Sequence, residues 1–495
     1  MWAVRGHAAG ADRGHAAGAD RPPGAVRHDA VQDASTGAEE QGAEMSDTGA
    51  PQGTVGVARH GRLRRRGPVG LVARLLGITV VVGLVSSTSV AAIATWQVLG
   101  TAQPTVSLAV PGTTASPVPE LTAQSGEVNM LLVATDTRTG QGGGFDDPAN
   151  QAASTGVGNN DTTVLVHISE DHTNMAVISF PRDLMLPIPE CTNDSGETTP
   201  ASSKAMLNTA LSRGGEQYGL ACVARTIGQL TGLQIDYAGS IAFGGVVSMA
   251  DAVGGVEVCL ATPIKDDDVV PAIDLPAGTQ TLSGVEAGAF LRSRHGVGDA
   301  SDLGRISNQQ TFMSALARQV VSAGTLTDPT KVLRLARTAF ENMTLSDTLS
   351  SPTTLAQIAI AVNTVGLSDM VFVQYPVADD PANRNRVVVD TEAAALLNSV
   401  LQAGQPVVLG EDSLGRSAII DPDAPAPAPA PAPTPSSTTA APDAGDEATP
   451  GAGAGAGATD APTETTAPAP APAATPLPSS VSGQSADQVT CAVKK

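Results

Sequence analysis

Four basic side chains lie close together in a chain that is otherwise strongly acidic. The 495 residues include 49 Asp and Glu against 28 Lys and Arg, which gives a formal charge of −21 at pH 7. Within it, the stretch LRSRHGVGDASDLGRISNQQ contains Arg292, Arg294, His295 and Arg305. Guanidinium groups bind phosphate oxygens in pairs, so clustered arginines favour a phosphate or pyrophosphate ligand. Because the charge of the whole chain disfavours nucleic-acid binding, such an anion must be bound locally.

Carboxylates and further arginines stand at the ends of predicted strands. Asp136 and Arg138 follow the apolar run VNMLLVAT, and Asp161 directly precedes TTVLVHIS. Arg182 follows the run NMAVISF and one proline. Two aspartates at neighbouring strand ends indicate a hard cation, Mg²⁺ or Mn²⁺, which commonly takes one or two carboxylates plus a substrate phosphate. Together with the arginines they predict a metal-assisted diphosphate site.

Each of these signals also has a purely structural interpretation. An Arg–Asp pair in a loop is more often an ion pair than a catalytic site, and Asp161 can cap a turn. Asp302 fits a helix N-cap as well as it fits catalysis. Arg305 can be a solvated helix residue, and we assign no role to His295.

The elements that must position these side chains alternate along the chain. Short β-branched runs predict strands at 128–135, 162–169, 174–180 and 370–377. Helices are predicted at 220–233, 244–256, 304–324, 352–366 and 390–404, and the segment 304–324 has its apolar residues at helical spacing. Strands interleaved with helices imply a layered α/β fold. Sites in such folds sit at strand ends and in the loops beyond them.

The residues of the arginine cluster are predicted to converge from two local geometries. VEAGAF predicts a short helix and LRSRH an extended segment. With a period of two, Arg292 and Arg294 then point to one face and Ser293 to the other. If LGRISNQQ opens a helix, Arg305 and Gln309 lie at i and i+4 on one face. Both geometries can direct hydrogen-bond donors to one spot.

The N-terminal part predicts a membrane anchor. Residues 1–66 are interpreted as a disordered cytoplasmic segment, in which Met45 is an alternative start. Residues 67–99 are predicted to form a transmembrane helix, since no charge occurs between Arg74 and Glu120 and a bilayer-spanning helix needs about 20 apolar residues. A cleaved signal peptide is the alternative, but its apolar core is usually only about 7–15 residues long. Arginines precede the run, so the remainder is predicted to lie outside the plasma membrane.

The rest of the chain divides by composition. Residues 100–125 are predicted to be a linker, 126–408 the folded catalytic domain, and 409–495 a disordered Pro/Ala/Gly-rich tail. The alternating Ala-Pro repeat of the tail favours extended polyproline II, and its charges are almost all acidic.

The four cysteines predict disulfides rather than a metal site. None of them forms a CxxC pair, which argues against zinc, and an even number in an exported region is typical of disulfides. Three pairings are possible and the sequence does not choose among them. Our prediction is Cys191 with Cys222, with Cys259 and Cys491 left open.

Several long segments resemble, in order, those of the LytR-CpsA-Psr family of membrane-anchored cell-wall enzymes. They cover about residues 128–315 and are NMLLVATDTR, NNDTTVLVHIS, AVISFPRDLMLPIP, LNTALSRGG, TIGQLTGLQIDYAGSIAFGGVVSMADAVGGVEV, LPAGTQTLSGVEAGAFLRSRH and DLGRISNQQTF. Further on, NRVVVDTEAAALLNSVL resembles the usual end of the family's extracellular part.

The resemblance implies an α-β-α sandwich with a hydrophobic cavity for a polyprenyl chain and a charged mouth at the pyrophosphate. It implies a Mg²⁺-dependent phosphotransferase that moves a glycopolymer from a polyprenyl-pyrophosphate carrier to a peptidoglycan hydroxyl, the 6-hydroxyl of N-acetylmuramic acid. Asp136 and Asp161 resemble the family's metal-binding aspartates. The residues that resemble those around the pyrophosphate are Arg138, Arg182, Arg292, Arg294, Arg305 and Gln309. We expect catalysis to depend on Asp136, Asp161, Arg182, Arg292 and Arg294.

Two positions depart from the family pattern. Asn159 stands where the family often has an arginine. Met206 stands where a basic residue is common, and Lys204 lies nearby but out of register. Two other functions stay open: a polyprenyl-pyrophosphate hydrolase that uses water as its nucleophile, and a lipid-linked glycan-binding protein without catalysis.

Overall fold

The computed structural model describes residues 104–109, 117–122, 124–137, 156–322, 328–410, 412–424 and 476–494, together with Arg74 and residues 76–79. The predicted cytoplasmic segment, most of the predicted transmembrane segment 67–99 and Arg138 lie outside these residues. Among the residues that are described, no helix combines the length and the apolar character needed to cross a bilayer.

The strands are mostly short, and they are interleaved with the helices along the chain. In chain order they are β1 (Val128–Thr135), β2 (Asn160–Ile168), β3 (Met175–Phe180), β4 (Leu184–Ile188), β5 (Cys191–Thr192), β6 (Thr198–Thr199), β7 (Ser202–Met206), β8 (Tyr237–Ala242), β9 (Val256–Leu260), β10 (Ile264–Asp266), β11 (Ile273–Leu275), β12 (Gly278–Leu282), β13 (Met343–Leu345), β14 (Met370–Gln374), β15 (Val377–Asp380), β16 (Asn383–Val389), β17 (Ala418–Ile420), β18 (Gly483–Ser485) and β19 (Thr490–Ala492).

The helices of the described ranges are α1 (Ala210–Thr231), α2 (Phe243–Ala252), α3 (Gly284–Arg292), α4 (Asp302–Ser322), α5 (Pro329–Asn342), α6 (Pro352–Thr364) and α7 (Thr391–Gln402), with 3₁₀ turns at Leu207–Thr209 and Leu367–Asp369. α1 is kinked at Gly215, where φ is +73° and a β-carbon would collide with the carboxylate of Asp194. That carboxylate accepts hydrogen bonds from the backbone N–H groups of Glu216 and Gln217, at 2.9 and 2.8 Å, and so caps the part of α1 that follows the kink.

A seven-stranded sheet forms the centre of the fold, in the order β13-β8-β1-β2-β3-β14-β18. β2 runs antiparallel to both β1 and β3, whereas β8 pairs parallel with β1 and β14 parallel with β3. Alternate residues of β1 face opposite sides, so that Leu131 and Val133 pack with α1 and α7 while Met130 and Leu132 pack with α4, α5 and α6. Helices therefore cover both faces of the sheet, and the predicted α/β class is confirmed.

Two disulfides fasten the fold. Cys191 in β5 is bonded to Cys222 in α1, which confirms the predicted pair. Cys259 in β9 is bonded to Cys491 in β19, across 232 positions of the chain. The second bond ties the C-terminal residues to the body of the domain.

The prediction of a disordered tail over 409–495 is wrong at both ends of that range. β18 pairs with β14 at the edge of the central sheet, and β19 lies between β9 and β17 in a second sheet. Arg318 of α4 donates from Nη1 to the carbonyl oxygens of Ala486 and Gln488, at 2.9 and 3.0 Å. These three-residue strands follow a long Pro/Ala/Gly-rich stretch, and no periodicity marks them in the sequence. Residues 425–475 lie outside the described residues.

The predicted linker 100–125 is also partly folded. The backbone N–H of Val106 donates to Leu345 O at 3.0 Å, and Asp347 N–H donates to Val106 O at 2.9 Å. Leu121 is buried on the face of the central sheet that packs with α5 and α6. The folded domain therefore begins before residue 126, the boundary that composition predicts.

Candidate active site

Three predicted site residues meet at the edge of the sheet where β1 and β3 end. Because β2 runs antiparallel between these strands, its first residues lie at the same edge as their last residues. Thr135 at the end of β1 is opposite Asn160 at the start of β2, so Asp136 and Asp161, each the next residue in its segment, both lie at this edge. Arg182 follows the end of β3 at the same edge.

A cavity of about 360 Å³ opens at this edge. Its apolar walls are formed by Val164, Val177, Val246, Leu291, Met313 and Phe372. Its lining also contains six of the predicted site residues: Asp136, Asp161, Arg182, Arg292, Arg305 and Gln309. The site therefore joins an apolar compartment to a cluster of charged groups, an arrangement that suits an amphiphilic anion.

Arg182 and Arg305 share two aspartates. Arg182 Nη1 donates to Asp161 Oδ1 at 2.8 Å, and Arg182 Nε lies 3.3 Å from Asp302 Oδ1. Arg305 Nη2 lies 2.8 Å from the same Asp302 oxygen and donates to the carbonyl oxygen of Asp161 at 3.1 Å. Among the described residues neither carboxylate oxygen of Asp302 has an aligned hydrogen-bond donor, so its contacts are charge contacts. Asp302 therefore holds the two guanidinium groups together, and within the described chain its side chain accepts no hydrogen bond of a helix N-cap, the structural alternative that the sequence allows.

Opposing effects act on these two guanidinium groups. Burial lowers the pKa of Arg305, which is only 5% exposed, and the attraction of Asp302 only partly opposes that shift. Burial also disfavours the charged form of Arg182, but Asp161 and the other nearby aspartates outweigh it and raise the pKa of Arg182. Both groups are cationic at neutral pH, and a phosphate that enters the cavity meets two positive charges already held in position.

The predicted pairing of Arg305 and Gln309 on one helical face is confirmed. Both lie on α4 and line the cavity. Gln309 Nε2 donates to Leu291 O at 3.0 Å and lies 3.4 Å from Thr162 Oγ1. Gln309 thus connects the end of α3 to the start of β2, the two elements that carry Arg292 and Asp161.

The prediction that LRSRH is extended is wrong, and with it the shared face of its two arginines. α3 continues through Arg292, because helical hydrogen bonding extends to the backbone N–H of Ser293, which donates to Ala289 O at 2.9 Å and to Phe290 O at 3.2 Å. Arg292 lines the cavity, and its Nη1 donates to Val270 O at 3.2 Å. Arg294 follows the helix end and lines a different, polar groove.

Asp266 organises the turn that carries Arg294, and sequence reasoning missed it. Its Oδ2 accepts hydrogen bonds from Ser293 Oγ at 2.7 Å and from the backbone N–H groups of Arg294 and Gly296, both at 3.1 Å. The carboxylate is 2% exposed. Its only sequence signal is the run DDD at 266–268, which looks like a solvated acidic loop.

Comparison with known proteins identifies the family. A family model for the LytR_cpsA_psr family matches residues 98–402. The chain belongs to the LytR-CpsA-Psr family.

The chain is also similar to two cell-wall proteins and to one solved structure. The chain is 31% identical to cell wall biosynthesis protein LcpA of Corynebacterium glutamicum over 43% of this chain and 44% of the relative. It is 30% identical to the probable cell wall biosynthesis protein LcpB of the same organism, over 47% and 51%. The aligned region thus spans about half the length of these relatives. Among solved structures, it is similar to a LytR-Csp2A-Psr enzyme from Actinomyces oris at 19% identity and a TM-score of 0.40, covering 62% of this chain and 97% of that one.

Asn159 departs from the LytR-CpsA-Psr pattern and has a defined structural role. Its backbone N–H donates to Asp136 Oδ1 at 2.6 Å, and its side-chain Nδ2 lies 3.4 Å from Asp136 Oδ2. The preceding Gly158 has φ of +69°, and a β-carbon there would lie 2.5 Å from Asp136 Oδ1. The chain thus orients Asp136 with amide donors where the family often has an arginine.

Lys204 does not replace the basic residue that the LytR-CpsA-Psr family commonly has at the position of Met206. Its Nζ pairs with Asp380 Oδ2 at 2.8 Å, and it lines neither the cavity nor the adjoining polar groove. Met206 itself lines that groove next to Asn208. In the described part of the chain, the basic side chains that line the cavity and the groove are therefore arginines.

The donor set fits the divalent cation that the family resemblance implies. Asp136 and Asp161 present carboxylate oxygens to the same cavity, and Asp136 is held by amide donors that fix its orientation. Hard cations such as Mg²⁺ prefer such oxygens, with substrate phosphate completing the shell. A second cluster of possible metal ligands consists of Asp266, Asp268 and His295. These side chains already bind protein groups: Asp266 accepts hydrogen bonds from the 293–296 turn, and His295 Nδ1 lies 2.8 Å from Asp268 Oδ2.

Proposed function

We propose that this protein is a phosphotransferase that moves a glycopolymer from a polyprenyl-pyrophosphate carrier to a peptidoglycan hydroxyl, by family analogy the 6-hydroxyl of N-acetylmuramic acid. The family supports a role in cell-wall biosynthesis. The observation that carries the finer proposal is the continuity of an apolar cavity with the Arg182–Asp161–Arg305 cluster. A lipid diphosphate has the same two parts, an aliphatic chain and a doubly charged head.

The proposed reaction is a displacement at the phosphorus next to the glycan. The acceptor hydroxyl oxygen forms a bond to that phosphorus, and the bond from phosphorus to the oxygen bridging to polyprenyl phosphate breaks. The electron pair leaves with polyprenyl phosphate, and the hydroxyl proton passes to a carboxylate of the cavity. The product is a phosphodiester between glycopolymer and peptidoglycan.

The arginines stabilise the charge that develops on the phosphate oxygens. Arg182 and Arg305 are already held by Asp161 and Asp302, so little reorganisation accompanies the reaction. Arg292 lines the same cavity at the end of α3 and supplies a third guanidinium group. Gln309 holds the end of α3 against β2 and keeps that group in position.

Asp136 and Asp161 would hold Mg²⁺, or Mn²⁺, between them. When bound, the ion would neutralise charge on the diphosphate oxygens. The hydrogen bond from Arg182 Nη1 holds the Asp161 carboxylate in the lining of the cavity.

The topology that we propose places the site outside the plasma membrane. The apolar run 67–99 with arginines before it supports a single N-terminal anchor and a cytoplasmic N-terminus. Both disulfides support an oxidising, extracellular compartment for the folded domain.

The test is transfer by the full chain purified in a non-ionic detergent. The donor would be a lipid-pyrophosphate-linked oligosaccharide and the acceptor a peptidoglycan oligosaccharide, with products followed by mass spectrometry with and without Mg²⁺. We expect a metal-dependent adduct of glycan phosphate and peptidoglycan. Free glycan phosphate as the only product would favour the hydrolase, and bound lipid without any product would favour a binding protein.

A further inference from the structure

Three basic side chains lie on one exposed face of α5. Lys331, Arg334 and Arg337 are spaced three residues apart, so they follow one another along one side of the helix, and all three are exposed. Leu333 is 39% exposed and stands next to Arg337, which follows it by four positions. We call these four residues the basic face. With Glu341 as its one acidic residue, α5 carries a net charge of +2 in a chain of formal charge −21.

The charge of the basic face is only partly neutralised within the protein. Arg337 Nε donates to Glu341 Oε1 at 2.7 Å. Among the described residues, no carboxylate lies within ion-pair distance of Lys331 or Arg334. Asp328 precedes the helix, and its Oδ1 accepts the backbone N–H of Lys331 at 3.4 Å. Lys331 and Arg334 therefore retain charge that an anionic partner can neutralise.

The opposite face of α5 packs on the end of the domain that carries the candidate active site. Phe340 is buried in the core, and α5 packs against α2. β8 runs parallel to β1 and α2 begins directly after it, so α2 starts at the sheet edge where Asp136 lies. Val246 of α2 lines the cavity. Because packed helices lie about 8–10 Å apart, little more than one helix separates the basic face from the cavity.

The segment that follows the proposed membrane anchor joins the fold beside α5. Val106 is hydrogen-bonded to β13, the strand after α5, and Pro104 lines a cleft of about 870 Å³ together with Asn342, the last residue of α5. This cleft borders the cavity at Thr135. The proposed transmembrane segment ends at residue 99, and the chain from 99 to 104 can span at most about 18 Å. The anchor would therefore hold the end of α5 close to the bilayer.

We propose that the basic face docks on anionic phospholipid headgroups of the membrane that holds the anchor. Lys331 and Arg334 contact headgroup phosphates, and Leu333 enters the boundary between headgroups and acyl chains, as in helices that lie on a membrane. Docking keeps the cavity next to the bilayer in which the polyprenyl-pyrophosphate donor resides. The proposal rests on the anchor and the donor of the proposed function, but on no step of the transfer reaction.

A membrane surface fits the basic face better than a soluble polyanion does. The exposed leucine beside the cations has no role in binding a soluble polyanion, whereas an interfacial helix uses such a residue. The anchor also confines α5 to a layer next to the lipid. A weak electrostatic attraction then suffices, because the two contacts with the membrane belong to one chain.

The test measures the depth of residue 333 in a lipid bilayer. All four cysteines form disulfides, so Leu333→Cys in the full chain can be labelled alone with the fluorophore NBD. The protein is reconstituted into vesicles of phosphatidylcholine, or of an equal mixture of phosphatidylcholine and phosphatidylglycerol. Quenching of NBD by nitroxide-labelled lipid gives the ratio of docked to free label. Flotation with the neutral vesicles reports the anchor separately, and transfer is not measured, so docking can fail while the proposed reaction stands.

A matched pair of variants separates charge from other effects. Lys331→Gln/Arg334→Gln removes both charges, whereas Lys331→Arg/Arg334→Lys keeps them at the same positions. Glu170→Cys carries the label as a position control, because this exposed residue lies in the turn between β2 and β3, at the sheet edge opposite the site. Thermal unfolding verifies the fold of each variant.

We expect quenching at residue 333 in the anionic vesicles, much less in the neutral vesicles, and none at residue 170. The Gln variant should lower the ratio of docked to free label about tenfold or more, since each basic residue near an anionic surface strengthens binding about fivefold. The charge-conserving variant should keep the ratio of the wild-type sequence. Rising NaCl should lower it.

Equal quenching in the two variants, equal quenching in the two kinds of vesicle, or none at residue 333 would overturn the proposal. Absence of the protein from floated neutral vesicles would refute the anchor, and with it the proposal. A change in NBD emission when polyphosphate is added, without quenching in anionic vesicles, would assign the basic face to a soluble polyanion and also overturn it.

Discussion

Arg182 Nη1 lies 2.8 Å from Asp161 Oδ1, although the two residues are 21 positions apart. The antiparallel pairing of β2 with β3 brings them to one sheet edge, and Asp302 of α4 contacts the same guanidinium from the other side at 3.3 Å. The pair connects the sheet to the helix that carries Arg305. The pair therefore contributes both to the charge distribution of the site and to the position of α4 against the sheet.

Replacing Arg182 should affect catalysis more than folding. We expect Arg182→Gln to lower kcat about 10²- to 10³-fold, the cost of losing one preorganised donor to a developing oxyanion. Arg182→Lys should recover only part of the loss, because an ammonium group cannot span Asp161 and Asp302 together. Transfer rates are the measurement, and Arg225→Gln, a change on α1 outside the lining of the cavity, is the control. Unchanged kcat in Arg182→Gln would remove this residue from the mechanism.

Asp266 should act as a positioning residue for the turn after α3. Asp266→Asn weakens the acceptor of three hydrogen bonds and should lower kcat about tenfold with a smaller change in KM, since charge-assisted hydrogen bonds are about twice as strong as neutral ones. The exposed neighbour Asp267→Asn is the matched control. Equal activity of the two variants would show that the turn does not depend on this carboxylate.

The same carboxylate predicts an acid dependence of stability. Burial opposes the charge of Asp266, but the hydrogen bonds from Ser293 and the backbone outweigh it and hold its pKa below the ordinary value. A pKa that is lower in the folded state contributes stability above the unfolded value of about 3.9, and that contribution is lost as pH falls below it. As the pH is lowered from 6 to 3, the melting temperature of the wild type should fall more steeply than that of Asp266→Asn. Parallel curves would contradict the assignment.

Asp236 should give the stability of the fold the opposite pH dependence. Burial raises its pKa to about 6, because its Oδ2 is buried without a hydrogen-bond partner among the described residues. A raised pKa means that stability is lost as pH rises from about 4 to 6, by about 3 kcal/mol at about 1.4 kcal/mol per pKa unit. Asp236→Asn should abolish that dependence. The melting temperature of the variant minus that of the wild type should therefore be larger at pH 7 than at pH 4. The exposed Asp274→Asn is the control, and the same pH dependence in all three proteins would contradict this account.

The C-terminal residues should be needed for stability. The double variant Cys259→Ser/Cys491→Ser should lose about 2–5 kcal/mol of unfolding free energy, as for other native disulfides. A chain that ends at residue 410 should lose more, because it also lacks β17, β18 and β19. Denaturant unfolding under oxidising conditions is the measurement. Equal stability of the truncated and full chains would show that these strands contribute nothing.

Local patterns predicted the part of the site that depends on strand order. The runs at 128–135 and 174–180 gave the strand ends, and with them the positions of Asp136 and Arg182. Helical spacing gave the common face of Arg305 and Gln309. In each of these cases the decisive geometry spans only a few residues.

The features that the sequence missed depend on contacts between distant segments. Arg294 leaves the cavity because Asp266, 28 positions away, fixes its backbone. Arg416 lines the same polar groove as Arg294 only because Ser417 docks on α4, more than a hundred positions from it. No periodicity within either segment encodes these contacts.

The most direct test of the central claim is transfer carried out in H₂¹⁸O, with the products resolved by mass. If the acceptor hydroxyl attacks phosphorus, the glycan–phosphate–peptidoglycan adduct forms without ¹⁸O. We predict this unlabelled adduct as the main product of the wild type and its loss in Arg182→Gln. Free glycan phosphate carrying one ¹⁸O, with no adduct, would show that water is the nucleophile and would contradict ligation.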